Sequence, residues 1–238
     1  MPLTRWTNKA SGWFKQSLPG YCAFCLSPGQ VSSGWCQECF DQLPWNLHAC
    51  CQCKEPLSHV FANAQMLCDH CQAEKPAFSM VTAELLFEGP VRALIHDFKF
   101  HASPRAGMLL AELMLANTPR CLGEGLLPVP MHHMRARERG FNQSYWLSEQ
   151  LAKRLALPLI NAVCVKQLPA QHTLSRKERA SNLVGAFRID GPVPGHLTII
   201  DDVVTTGATG QALATVALRA GATRVDIWAI ARTPLTHS

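Results

Sequence analysis

No stretch of this chain approaches the ~20 consecutive apolar residues that span a bilayer. Residues 1–20 set Trp6, Trp13 and Phe14 among Lys9 and Lys15, without the apolar run of a secretory leader. A cleaved leader is therefore not expected, and the chain reads as cytoplasmic with no membrane insertion. Charge is sparse at 16%, and 22 Lys and Arg against 17 Asp and Glu leave +5, far from a histone-like excess. Low-complexity tracts and repeats of solenoid period are missing. So are two phosphate-binding signatures: there is no Gly-x-Gly-x-x-Gly triplet, and no Lys follows Gly210 as a P-loop would require. What is present suffices for a core. With 47% of 238 residues apolar, one ordinary domain and a small appendage are expected.

Composition divides the chain. Nine of the eleven cysteines fall between Cys22 and Cys71. Up to Pro76, five basic residues balance five acidic ones, so the whole positive excess lies beyond it. The expected organisation is an N-terminal extension over residues 1–20, a cysteine-rich head over 21–76, which the cysteine spacing below makes a double zinc ribbon, and an α/β body over 77–238.

The cysteines come as four knuckles: Cys22 with Cys25, Cys36 with Cys39, Cys50 with Cys53, and Cys68 with Cys71. Each Cys-x-x-Cys offers two thiolates at the bite of a tetrahedral zinc ion, and two knuckles complete a four-sulfur site. The intervening segments carry too few apolar residues for a core of their own, so metal binding would supply folding free energy. A disulfide framework needs an oxidising compartment, and a dithiol redox motif needs one pair beside a βαβ unit rather than four in a row. Sequential pairing gives two zinc sites; one site beside a degenerate second is the alternative. Cys51 reads as a spare, and His48, His59 and His70 as solvated.

From Ser79 the pattern becomes strand and helix in alternation. Strands are expected over residues 81–87, 126–130, 197–200 and 225–231, and helices over 90–100, 108–116, 144–157 and 210–220. Strand, helix, strand implies a parallel sheet flanked by helices, which binds ligands at the carboxyl ends of its strands. At one such end stand Asp201 and Asp202, followed by Val204, Thr205, Thr206, Gly207, Ala208 and Thr209 and then a helix. The turn's N–H groups and the helix N-terminus form an anion cradle. Two carboxylates cannot hold that anion, but they can accept from a vicinal diol or help organise hydrated Mg²⁺. A phosphate beside a diol describes a phosphorylated ribose.

The segment from Leu197 to Thr209 resembles the phosphoribosyl-pyrophosphate (PRPP) motif of type I phosphoribosyltransferases. Pro128-Val-Pro130, Arg139-Gly-Phe-Asn-Gln143, and Arg179 with Asn182 and Ala186-Phe187 resemble the ComF family, across nearly the whole chain beyond its first twenty residues. That resemblance implies a type I phosphoribosyltransferase-like domain behind a zinc-ribbon head. It also implies a role in DNA uptake, whether natural competence or use of extracellular DNA as nutrient.

On this resemblance, Asp201 and Asp202 would hold the ribose hydroxyls, and residues 204–209 the 5′-phosphate. Arg135, Arg137, Arg139 and Gly140 would hold pyrophosphate in the loop after the first core strand, where alternate arginines offer forked donors. Arg176 and Arg179 fall in a flap over residues 171–182, and Lys99 matches a further family position. Pyrophosphate would leave ribose C1′ with help from Mg²⁺, Arg137 and Arg139. The segment 166–170 lacks the Arg/Thr-rich run usual before such a flap, and nothing marks a nucleobase pocket. Two other readings stay open: a salvage transferase acting on bases, and a single-stranded-DNA-binding adaptor with a vestigial site, working with DNA-processing proteins.

Overall fold

The computed structural model describes residues 20–29, 33–57, 66–166 and 182–234, and the chain forms two compact units, residues 1–43 and 44–238. In the first, β1 (Gly20–Tyr21) pairs antiparallel with β2 (Pro28–Gly29), and α1 spans Gln37–Asp41. Leu26 reverses the chain with φ 59°, and Trp35 stacks on Phe40 at 5.6 Å. Cys22 and Leu43 are the deeply buried residues described here.

The second unit opens with its own cysteine segment, containing α2 (Asp69–Ala73), and continues into the sheet. Here β3 (Val81–Thr82) and β4 (Leu85–Leu86) precede a packed helix pair, α3 (Gly89–His101) and α4 (Pro104–Ala116). Gly107 of α4 lets that pair close: a Cβ there would lie 2.6 Å from the Phe98 ring. Next come β5 (Gly125–Pro128), α5 (His133–Arg139), α6 (Gln143–Leu155), and a small antiparallel pair, β6 (Ala162–Cys164) with β7 (Phe187–Ile189). The chain ends with β8 (His196–Val204), α7 (Ala208–Arg219) and β9 (Arg224–Arg232).

The main sheet runs β3-β9-β8-β5, all parallel, with β4 also on β9. Strands covered on both faces carry continuous apolar runs. Leu197, Ile199 and Ile200 of β8, and Val225, Ile227 and Trp228 of β9, are accordingly buried. Gly210 seats α7 against β9, because a Cβ there would strike the Ile227 side chain.

Two expectations change. The strand expected over residues 81–87 is two short pieces in one register, Val81 opposite Ile227 and Leu85 opposite Ala231. Between them the Asn46 N–H donates to the Glu84 carbonyl (2.8 Å), and the Asn46 amide donates to that of Ala83 (3.4 Å). The sheet edge is thus bonded by residues 44–52, which also accept from Val81 and Leu86 (2.7 Å each). An edge covered in this way cannot template aggregation. Second, the basic loop after β5 coils into the helix α5. Among the described residues no helix is long and apolar enough to cross a membrane.

Candidate PRPP cleft and metal centres

Asp201 and Asp202 lie within β8, four and three residues before the turn that leads to α7. Gly207 caps α7 with φ 78°, a left-handed conformation that costs a residue with a Cβ about 1–2 kcal/mol. The Thr206 hydroxyl accepts from the Ala208 N–H (3.3 Å), closing the turn. Above it opens a cleft of about 620 Å³. The structure brings together there Lys99, Arg135, Arg139, Asp201, Asp202 and the whole turn from Val204 to Thr209.

The acids are held unequally. Asp202 is paired with Lys99 (2.7 Å), while Asp201 accepts from its neighbour's N–H (2.9 Å) and from the Ser144 hydroxyl (3.4 Å). Burial first, and then the adjacent Asp202 carboxylate, push Asp201 up to about 7; Lys99 pulls against them. Ser144, from the start of α6, joins the site without any spacing signal in the sequence. Its place depends on α6 packing across β8.

Coiling changes how the arginines are presented. Residues four apart share a helix face while those two apart do not. Arg135 and Arg139 therefore line the cleft, whereas Arg137 is exposed and outside its lining. Gly140 ends α5 with φ 84° and also lies off the cleft. Burial, then the positive Arg135, lower Arg139's pKa, though not enough to discharge a guanidinium. Of the rest of the Arg-Gly-Phe-Asn-Gln motif, Asn142 and Gln143 also line the cleft while bracing its frame. Phe141 packs on Phe98 (5.1 Å), and Asn142 caps α6 while donating to the Val129 carbonyl (3.0 Å). Gln143, buried, accepts from Arg139 (3.2 Å). Arg176 and Arg179, with residues 171–181 of the expected flap, lie outside the described residues, as does His59.

The eight paired cysteines form two four-sulfur clusters in sequential order, Cys22, Cys25, Cys36, Cys39 and Cys50, Cys53, Cys68, Cys71. Cys51 is exposed and belongs to neither. Tetrahedral zinc with ~2.3 Å bonds separates its sulfurs by ~3.8 Å. Cys25 and Cys36 stand 3.8 Å apart, and Cys53 and Cys68 3.6 Å. Both clusters could hold zinc. They differ in setting: Cys50, Cys53 and Cys71 belong to the body's hydrophobic core beside Phe78 and Val81, whereas Cys25 is exposed. A hydrogen bond from the Cys53 thiol, outweighing burial, lowers the Cys50 pKa, and the same shared proton raises that of Cys53.

No family model matches the chain. Against characterised sequences it is 33% identical, over 91% of its length and 99% of the relative's, to the DNA utilization protein YhgH of Salmonella typhimurium. It is 32% identical over the same shares to YhgH of Escherichia coli K12. To Competence protein F of Haemophilus influenzae it is 29% identical, over 89% of this chain and 96% of that one.

Proposed function

Because the chain belongs to the ComF-like family of DNA-utilisation and competence proteins, we propose that it serves DNA uptake or the use of external DNA, and that its cleft binds PRPP. One observation carries the second part: an acid pair, an N–H-lined turn at a helix N-terminus and two arginines face a single cleft. Each part of PRPP meets its chemical complement there. Thr205–Thr209 amides and hydroxyls receive the 5′-phosphate. Asp201 and Asp202 accept from the ribose hydroxyls, with Lys99 giving way at Asp202. Arg135 and Arg139 fork onto pyrophosphate.

Magnesium would arrive with the diphosphate and neutralise part of its charge. Departure of pyrophosphate from C1′ leaves positive charge on the ribose ring. The acid pair favours that charge by electrostatics, and the arginines stabilise the leaving group. Transfer to a nucleobase is the extension of this reading. Phe100 supports it: the ring is exposed at the cleft, with the Arg139 guanidinium 5.3 Å from its centroid, a platform for a planar acceptor.

The described part of the first ribbon holds no Lys or Arg; in the second, Lys54 pairs with Glu84 (3.0 Å) and Lys75 alone is an exposed Lys. Contact with single-stranded DNA, or with DNA-processing partners that carry it, would therefore fall mainly to the basic body.

Calorimetric titration with PRPP and Mg²⁺ tests the reading. Binding to the wild type, abolished by Asp201→Asn with Asp202→Asn, is expected. Undiminished binding in that double variant would overturn it.

A further inference from the structure

Arg232 ends β9 with a side chain 2% exposed, and its contacts run in two directions. One terminal nitrogen, Nη2, bonds the Glu55 carboxylate at 2.6 Å; the other, Nη1, donates to the Val204 carbonyl at 3.0 Å. Glu55 lies two residues past Cys53, and its carbonyl accepts from the Cys50 N–H (2.8 Å). The second four-cysteine cluster therefore fixes Glu55 both through the chain and through a backbone bond. Val204 is the last residue of β8, where the phosphate turn begins.

The Val204 carbonyl also accepts from the Thr233 N–H at 2.9 Å. A trans peptide is planar, with its C=O and N–H opposed. Holding that carbonyl toward Arg232 and Thr233 thus sets the direction of the Thr205 N–H, the first amide of the cradle. The arrangement is a poor device for stability alone. A buried ion pair is commonly no better than apolar residues of the same volume, and here the buried Arg232 Nε has no partner among the described residues. What the guanidinium supplies, and an apolar side chain could not, is a directed link from the metal knuckle to one peptide plane.

We propose that Arg232 is a positioning residue coupling the second cysteine cluster to the phosphate turn, so that zinc at Cys50, Cys53, Cys68 and Cys71 and PRPP in the cleft strengthen each other's binding. The proposal rests on the PRPP reading. Coupling of this kind is reciprocal and spans roughly 5–150-fold in affinity; about tenfold is expected here.

The test uses the full zinc-loaded chain. Zinc affinity is measured by competition with a chelator, with and without PRPP and Mg²⁺, and PRPP affinity by calorimetry. Cys25→Ser identifies which zinc belongs to the first cluster. In the wild type, PRPP should tighten the second zinc about tenfold. In Arg232→Met and Glu55→Gln, PRPP should bind about tenfold more weakly and still raise Tm, yet leave zinc affinity unchanged; Arg232→Lys should restore part of the effect. General stabilisation by a ligand would act equally in all variants, and that result overturns the proposal. So does a wild type that binds PRPP without change in zinc affinity, a comparison needing no variant to fold. A wild type that binds no PRPP removes the PRPP reading and the proposal with it.

Discussion

Glu55 and Arg232 are 177 positions apart in the chain, and their side chains meet at 2.6 Å with 4% and 2% exposure. The pair joins the cysteine-rich segment to the last strand of the sheet. Removing one partner strands a charge in a buried site, which costs about 3–5 kcal/mol. Glu55→Met and Arg232→Met should each lower unfolding free energy by that order. The double variant should be more stable than either single one, because no lone charge remains. Urea unfolding monitored by Trp fluorescence measures all three, and additive losses would contradict the coupling.

Metal removal should separate the clusters. Two zinc ions per chain are expected by elemental analysis. Cys25→Ser should lose one without lowering the thermal midpoint of residues 44–238. Cys53→Ser opens a site in the body's core, beside Phe78 and Val81, and should lower that midpoint markedly. Equal effects of the two substitutions would refute the assignment of the second cluster to the body.

The raised Asp201 carboxyl has a pH signature. An acid whose folded pKa, about 7, exceeds its ordinary 3.8 lets the folded state keep a proton the unfolded state has lost. Its contribution to stability is full below about pH 4 and declines as pH rises toward 7. Asp201→Asn should flatten that decline in the ligand-free protein. Lys99→Met, which removes the opposing cation, should extend it to higher pH. Denaturation midpoints across pH 4–8 check both.

The helical form of residues 133–139 ranks the arginines. Arg139→Ala should weaken PRPP binding by about tenfold or more, as expected for loss of a charge-assisted contact worth roughly 1.5–3 kcal/mol. Arg137→Ala should leave it within error. The reverse order would mean that the fork is assembled from the other face of α5.

Gly210 is a close-packing position. Gly210→Ala places a methyl group against Ile227, and overpacking of this kind costs about 1–3 kcal/mol. Differential scanning calorimetry should show the loss. Because α7 begins at the turn, weaker PRPP binding should accompany it.

Much of this protein could be read from residue order. Two strands buried on both faces announce themselves as apolar runs, so β8 and β9 were legible, as was the helix after each turn. Four Cys-x-x-Cys knuckles marked both four-sulfur clusters, since a tetrahedral ion needs that bite, and the Asp-Asp-turn-helix series marked an acid pair ahead of a turn at a helix N-terminus. These signals are local: each knuckle, each apolar run and the acid-turn-helix series is written within about a dozen consecutive residues.

Contacts closed across the chain could not be read in that way. The strand over 81–87 was broken by Asn46, whose demand for the carbonyls of Ala83 and Glu84 no alternation of side chains encodes. Arg135, Arg137 and Arg139 look equivalent in a loop, and helix formation made them two and one. Ser144 beside Asp201, and the route from Cys53 through Glu55 and Arg232 to Val204, depend on packing. A polar side chain reveals its partner only once burial has removed water as the alternative.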